Sequence, residues 1–527
     1  MVEQLAVEPD RVAYIAGVDG LARLDLVRDL ARGAKGREHL GLDALVVDRI
    51  PAERVALLHE HSLDQTADLG QGLRGGVLEQ GLERLPFALP LAAVYTGLVH
   101  KTCVLGGAGL ETPASRSTLA RVNVLVVGSG GREHALAWKL TQSPALSELH
   151  AAPGNPGIAA LGRCHPIVAE DVEGLLGLCR EHAVDLVVVG PEAPLVAGVA
   201  DELRRAGVAV FGPSAAAARI EGSKGFAKEI MRAAGVPTAA ELDEPRAPCV
   251  LKADGLAAGK GVFVCRTQAE LDVALRAVRR LGEGFVVEKL LEGDEVSAFV
   301  LTDGDGTLTL PPAQDFKRLL DGDEGPNTGG MGSYSPVPLL SSDELEEVVA
   351  TVHRPVLDEL AARRTPFVGL LYAGLMLTAE GPRVLEFNCR FGDPEAQAIL
   401  PLIEGDLLQA LASAAAGSLG SASLEASGEA AVSIVLAAPG YPEAPEAGIP
   451  IDGIEEAGNE GALVFHAGTA VRGGRTLSAG GRVLNVTGIG ASVAEARERA
   501  YSAVERISFP GAQYRRDVAL RAVRVPS

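Results

Sequence analysis

Cysteine pairs are missing from this chain. The six cysteines, Cys103, Cys164, Cys179, Cys249, Cys265 and Cys389, include no C-x-x-C spacing, so neither a cysteine zinc cluster nor a disulfide framework is expected, and a reducing compartment fits. Positive charge is also short. Against 69 Asp and Glu stand 48 Lys and Arg, a net charge of −21, which offers no general surface to nucleic acid or membrane but leaves room for a local basic pocket around an anionic metabolite. No charge-free apolar run has the length of a spanning helix; the nearest, residues 85–99, carries Pro86 and Pro90. Glu3, Glu8 and Asp10 interrupt any N-terminal targeting signal, and no solenoid repeat is present. These absences predict a cytoplasmic, soluble protein with no general nucleic-acid or membrane partner.

What is present is a long chain of 527 residues, 47% hydrophobic with 63 glycines, enough for three or four α/β domains. Residues 1–121 hold amphipathic pieces such as 18–30 but no chemical motif, and end near the Ser/Thr/Pro stretch TPASRST. Order starts at Val122. VNVLVV, VDLVVVG and VAVFGP read as buried parallel strands alternating with helices, a doubly wound sheet over residues 122–222. Residues 223–427 continue with a helix, two strands around the glycine loop of CVLKADGLAAGKGVFVC, the strand GFVVEKLL, a polar glycine-rich region and two strands, FVGLLYAGLMLT and RVLEFNC. The Ala/Ser/Gly-rich stretch 411–428 reads as a linker or weak helix. A small α/β domain, 428–527, closes the chain, with an S-x-x-E capping box at Ser492 and Glu495 opening its helix.

The chemistry concentrates in residues 383–394, RVLEFNCRFGDP. In an extended strand, Glu386, Asn388 and Arg390 share one face at about 6.5–7 Å spacing. A carboxylate and an amide oxygen are hard ligands suited to Mg²⁺ shared with phosphates, and a guanidinium can stabilise a transferred phosphoryl group. The plainer alternative, an edge strand with a solvated polar face, sits poorly with the apolar Val384, Leu385 and Phe387. Upstream, the turn GSGGREH has the position of a dinucleotide fingerprint, but Glu133 stands where its third glycine belongs. With Gly130, Gly131 and Arg132 it suits a small phosphorylated substrate better than NAD. KADGLAAGKGV departs from a Walker A loop in spacing and in Gly261, and describes a flap closing over triphosphate, with Lys252 on a strand and Gly259 and Lys260 on the loop. Residues 286–291, which include Glu288, Lys289 and Leu290, form a candidate hinge strand for an adenine edge, with Glu295 near the ribose hydroxyls. QDFKR sets Lys317 and Arg318 beside Asp315, an anion site or a surface ion pair.

These segments resemble the ATP-grasp superfamily. More narrowly, GSGGREHALAWK, APGNPG, VGPEAPLVAGV, FGPS, EGSKGFAK, KADGLAAGKGV, QDFKR, GPNTGGMGSYSP, GLLYAGLM, LEFNCRFGDPE, VFHAGT and GGRVLNVT, in that order from Val122 onward, look like the glycinamide ribonucleotide synthetase family. The resemblance implies an ATP-grasp core with a flap subdomain, about 238–300, between the N-terminal domain and the closing domain. It implies ligation of glycine to 5-phosphoribosylamine through glycyl phosphate, by a monomer using ATP and Mg²⁺ or Mn²⁺. Glu386 and Asn388 would hold the metal. Lys224, Lys252, Gly259, Lys260, Gly261, Glu288, Lys289, Leu290 and Glu295 would bind ATP, and Gly130, Gly131, Arg132, Glu133 and Asp393 the sugar phosphate. Arg390, Lys317, Arg318 and Asp315 would serve the transfer. Three departures stand out: Phe316 replaces the family's usual His, the connection ELDEPRAP is short where a helix is common, and the family begins at the equivalent of Val122. Residues 1–121 are therefore expected to be upstream translation from a misplaced start. Two competing readings remain, another ATP-grasp carboxylate–amine ligase and a silent nucleotide-binding paralogue.

Overall fold

A computed structural model describes residues 3–6, 12–15, 121–257, 261–282 and 284–524. The chain divides into two units, residues 1–115 and 116–527; in the first, the strands Glu3–Ala6 and Val12–Ile15 pair antiparallel, and the amphipathic piece 18–30 and the expected start boundary before Val122 fall outside the described residues.

The Val122–Gly128 strand is central because five of its seven residues are buried. It anchors a five-stranded parallel sheet in the order Arg163–Cys164, Leu146–Pro153, Val122–Gly128, Leu186–Val189, Ala209–Phe211. Helix Gly131–Leu140 packs on the Val124 and Val126 face and helix Val172–Glu181 on the Leu125 and Val127 face. Strand order reverses between Val122–Gly128 and Leu186–Val189, which opens a crevice at their carboxyl ends. Two strands escaped the sequence reading: the edge strand Arg163–Cys164 is two residues long, and its inner neighbour Leu146–Pro153 begins with exposed Ser147 and Glu148.

Strands Cys249–Ala253, Val262–Cys265 and Phe285–Lys289 form a three-stranded antiparallel sheet. Helix Gln268–Leu281 covers it with Leu271, Ala274 and Val278. That helix was legible in its Thr267/Glu270 capping box, which the sequence reading passed over. The subdomain stops near Lys289, not near residue 300, because Asp294–Thr302 is ladder-bonded into a different sheet.

That second sheet has eight antiparallel strands, ordered Gly381–Asn388, Gly369–Thr378, Asp294–Thr302, Thr307–Asp315, Gly332–Ser335, Ala430–Ala437, Arg482–Gly490, Leu463–His466. It crosses the boundary read at 427/428, since Ser333 pairs with Ser433. The stretch taken as a linker starts as part of the Asp406-capped helix Leu407–Ala415 and later pairs Glu425–Ala426 with Ile403–Glu404. Helix Val493–Val504 packs Ala496, Ala500 and Val504 into the core. Its Glu495 carboxylate takes the N–H of Ala491 instead of that of Ser492. Among the described residues no helix is long and apolar enough to cross a membrane.

Candidate active site

Two strands build the acidic recess. Gly369–Thr378 pairs with Gly381–Asn388, and the register slips between Gly374↔Glu386 and Leu375↔Val384, so Leu385 is a bulge residue. Its carbonyl is satisfied by Lys252 Nζ at 2.6 Å. Beyond the bulge, Glu386 and Asn388 share a face as expected from alternation. Lys224, the first residue of the Ser223-capped helix Lys224–Ala233, places its Nζ 2.9 Å from Glu386 Oε2. Lys224 foremost, aided against burial by Lys317 and Lys252, holds the Glu386 carboxyl far below the usual range. It stays ionised at any working pH.

Asp315 behaves in the opposite way. Burial, opposed by Lys317 but reinforced by Glu395, Glu295 and Glu386, pushes its carboxyl up to about 7. Four carboxylates thus face one recess, and Glu395 among them is buried with its Oε1 accepting from Tyr372 OH at 2.7 Å. Such a group of hard oxygen donors is of the kind a divalent cation takes. A folded-state pKa above the unfolded one means that ionised Asp315 opposes folding, with the penalty absent below about pH 4 and fully developed above about 7. Asp315→Asn should therefore be more stable than the parent at pH 8 and lose that advantage as the pH falls toward 4, a trend that denaturant unfolding across pH will test.

The flap base carries a buried ion triad. Glu288 Oε1 meets Lys228 Nζ at 2.7 Å and its Oε2 meets Lys252 Nζ at 2.8 Å, all three side chains being nearly inaccessible. Glu288 therefore does not present its carboxylate to a nucleotide; it positions Lys252 instead. The hinge reading also narrows. Strand Phe285–Lys289 pairs with Cys249–Ala253 on one edge, while Leu242 N–H to Val287 O and Lys289 N–H to Ala240 O fill the other. Leu290 and Leu291, past its end, remain as candidates for an adenine edge. Gly261 lies buried beside Ala253 and Ala257. Gly259 and Lys260 are outside the described residues.

A cavity of about 400 Å³ opens at the crevice of the parallel sheet, lined by Gly128, Ser129, Gly130, Arg132, Glu133 and Asp393 among others. Glu133 explains the missing third glycine. Its side chain folds back over the strand ends, so a Cβ at Gly190 would sit 2.0 Å from its Oε1. Its Oε2 takes the Gly130 N–H at 2.5 Å and its Oε1 the Arg132 Nε at 2.5 Å. The Gly130 N–H is consequently not free for a phosphate, which corrects the expectation of an open anion turn. Gly131 also acts by shape: a Cβ there would meet Asn485 Oδ1 at 2.5 Å and Gln397 Nε2 at 2.6 Å. Asp393 is held by Arg482 at 3.1 Å and by Gln397 Nε2 at 2.8 Å. Arg482 lay unnoticed in GGRVLNVT, since nothing local marks an arginine that works across domains.

Arg390 departs from the expected row. The strand ends at Asn388, and the following bend turns the guanidinium to Glu221 at 2.9 Å and Glu192 at 3.2 Å. It ties the recess to the N-terminal domain. Lys317 pairs with Glu295, so the two groups assigned to substrate and ribose neutralise each other. Arg318 is exposed on its strand. Phe316 packs with Arg515, whose Cζ lies 4.8 Å from the ring centroid, and with Tyr334, while Asp315 and Lys317 on either side interact with the recess carboxylates. Phe316→His should leave turnover within about threefold, while Phe316→Ala should cost about 2–3 kcal/mol of stability; steady-state kinetics and urea unfolding of both variants measure this.

Comparison with known proteins agrees with this layout. Family models of phosphoribosylglycinamide synthetase match as the N domain over residues 122–221, the ATP-grasp (A) domain over 222–396 and the C domain over 431–521. The chain belongs to the phosphoribosylglycinamide synthetase family. It is similar to the phosphoribosylamine–glycine ligases of Streptomyces coelicolor, 51% identical over 76% of this chain and 99% of the relative, and of Mesorhizobium japonicum, 48% identical with the same coverage. The crystal structure of phosphoribosylamine–glycine ligase from Thermotoga maritima superimposes with a TM-score of 0.66 at 35% identity, covering 76% of this chain and all of that one. As a member of this family the chain is an ATP-grasp ligase.

Proposed function

We propose that this ligase joins glycine to 5-phosphoribosylamine, giving glycinamide ribonucleotide, ADP and phosphate, in the cytoplasm and as a monomer. The observation that carries the reading is the continuity of residues 386–393. Glu386 faces the lysine-rich recess, and Asp393, on the same short segment, lines the sheet-end cavity. A nucleotide phosphate in the first and a sugar phosphate in the second would bring the two reacting ends together.

Glycine's carboxylate oxygen attacks the γ-phosphorus of ATP and ADP leaves. The amine of phosphoribosylamine then attacks the glycyl carbonyl carbon, the C–O bond to phosphate breaks, and the amine gives up a proton. Glu386 and Asn388 are the residues that would hold Mg²⁺ or Mn²⁺, an ion that supplies charge neutralisation on the phosphates. Lys224 and Lys252 orient and screen the phosphate oxygens. Arg390 stiffens the bend that carries Asp393, through Glu192 and Glu221. Arg132 and Asp393 hold the phosphoribosyl group, and the flap keeps water from the acyl phosphate.

ADP release by the purified chain, with glycine and freshly generated phosphoribosylamine supplied separately and together, tests the reading; turnover that does not require both substrates overturns it. Arg132→Ala should raise the KM for phosphoribosylamine about 10- to 100-fold, the worth of a charge-assisted hydrogen bond, with a smaller change for glycine. Initial-rate kinetics in each substrate would separate these.

A further inference from the structure

Three histidines far apart in sequence meet at the edge of the parallel sheet. His150 lies on the Leu146–Pro153 strand, paired with Leu125, and is fully buried. His165 follows the edge strand Arg163–Cys164, its N–H bonded to Ala151 O at 2.9 Å. His182 caps the carboxyl end of helix Val172–Glu181, and Asn123 Nδ2 fixes its carbonyl at 3.1 Å. One ring nitrogen from each comes within 4.8 Å of the other two. His150 Nδ1 is 3.0 Å from His165 Nε2, and the His150 and His182 rings stack at 4.5 Å. None of the three lines the substrate cavity.

We propose that His150, His165 and His182 form a binding site for a divalent transition-metal ion of the Zn²⁺ class, separate from the catalytic recess. Three imidazoles are the donor set such ions take in sites that keep a fourth position open. Tetrahedral coordination puts nitrogens about 3.3 Å apart, so the His150–His165 pair needs only slight opening. His150 Nε2 is buried and without a hydrogen-bond partner, 3.3 Å from Glu148 Oε2. A small rotation on metal binding at Nδ1 would let Nε2–H donate to that carboxylate, the outer contact that commonly orients a metal-bound histidine. His165 and His182 are only partly buried, which leaves access from solvent. A bound ion would tie the edge strand to the helix end.

The experiment titrates chelator-treated full-length chain with Co²⁺ and then Zn²⁺ in excess Mg²⁺. The expected result is one equivalent of Co²⁺ giving the visible bands of a tetrahedral nitrogen site, displaced by Zn²⁺, with an unfolding temperature that rises on Zn²⁺ addition. His165→Ala and His182→Ala, both at partly open positions, should each weaken Zn²⁺ binding by about tenfold or more while Mg²⁺-dependent turnover stays at the parental level. No stoichiometric binding in the presence of Mg²⁺, or binding unchanged in both variants, overturns the proposal and leaves a neutral histidine stack.

Discussion

Glu386→Gln should lower ADP-forming turnover by about 10²- to 10³-fold, the range seen when one preorganised electrostatic partner of a reacting group is removed. The substitution keeps side-chain shape but takes away the carboxylate that Lys224 contacts at 2.9 Å and on which Lys317 and Lys252 also act. It leaves a cationic cluster around a neutral amide and replaces the anionic one of the two oxygen donors suited to a divalent ion with a weaker, neutral one. The loss should shrink partly at high Mg²⁺ if metal affinity is the main casualty, so rates are best measured across a Mg²⁺ series. Turnover within a few-fold of the parent at all concentrations would mean that the recess is not where the phosphoryl group is transferred. Circular dichroism should show an intact fold, because Lys224 and Glu386 are both partly reached by water.

Glu288→Gln should destabilise the protein by about 3–5 kcal/mol, as expected when one partner of a buried ion pair is removed and its counter-charge stays behind. Here two ammonium groups would be stranded, Lys228 and Lys252, both about 5% exposed. Lys228 also donates to Thr238 Oγ1 and Ala239 O, and Lys252 to Leu385 O, so neither can swing into solvent without breaking the flap base from the bulged strand. Lys228→Met is the informative contrast. It leaves the neutral pair Glu288–Lys252 and should cost clearly less. Urea unfolding of the two variants compares them, and equal stability losses would show that the triad does not act as a charge-balanced unit. ATP affinity should fall in Glu288→Gln as well, because Lys252 loses the carboxylate that aims it.

Both variants rest on residues whose importance the sequence displayed unequally. Glu386 announced itself: a charged residue in an otherwise apolar strand, two residues from an amide and followed by Gly-Asp-Pro, has few structural reasons to exist. Glu288 sat in a similar strand and was read as a nucleotide contact, because nothing local reveals that Lys228 on a helix and Lys252 on the neighbouring strand converge on it. Phe316 was a worrying departure in one dimension and is a packing residue in three, with Arg515 arriving from the far end of the chain. The three histidines were invisible for the same reason, since a search for metal-ligand spacing sees only neighbours in sequence, and positions 150, 165 and 182 are joined by sheet register and a helix end.

By itself the sequence determined the fold class and the family, because those depend on period-two and helical patterning, glycine turns and short ordered motifs, all of which are local. The tertiary structure alone decided the pairing of charges: Arg390 with Glu192 and Glu221, Lys317 with Glu295, Asp393 with Arg482, and the Gly130 N–H with Glu133. It also decided that one eight-stranded sheet unites the nucleotide-binding and C-terminal regions. Electrostatic partners are chosen by distance in space after burial has raised the cost of any unpaired charge, and that choice has no period for a sequence to display.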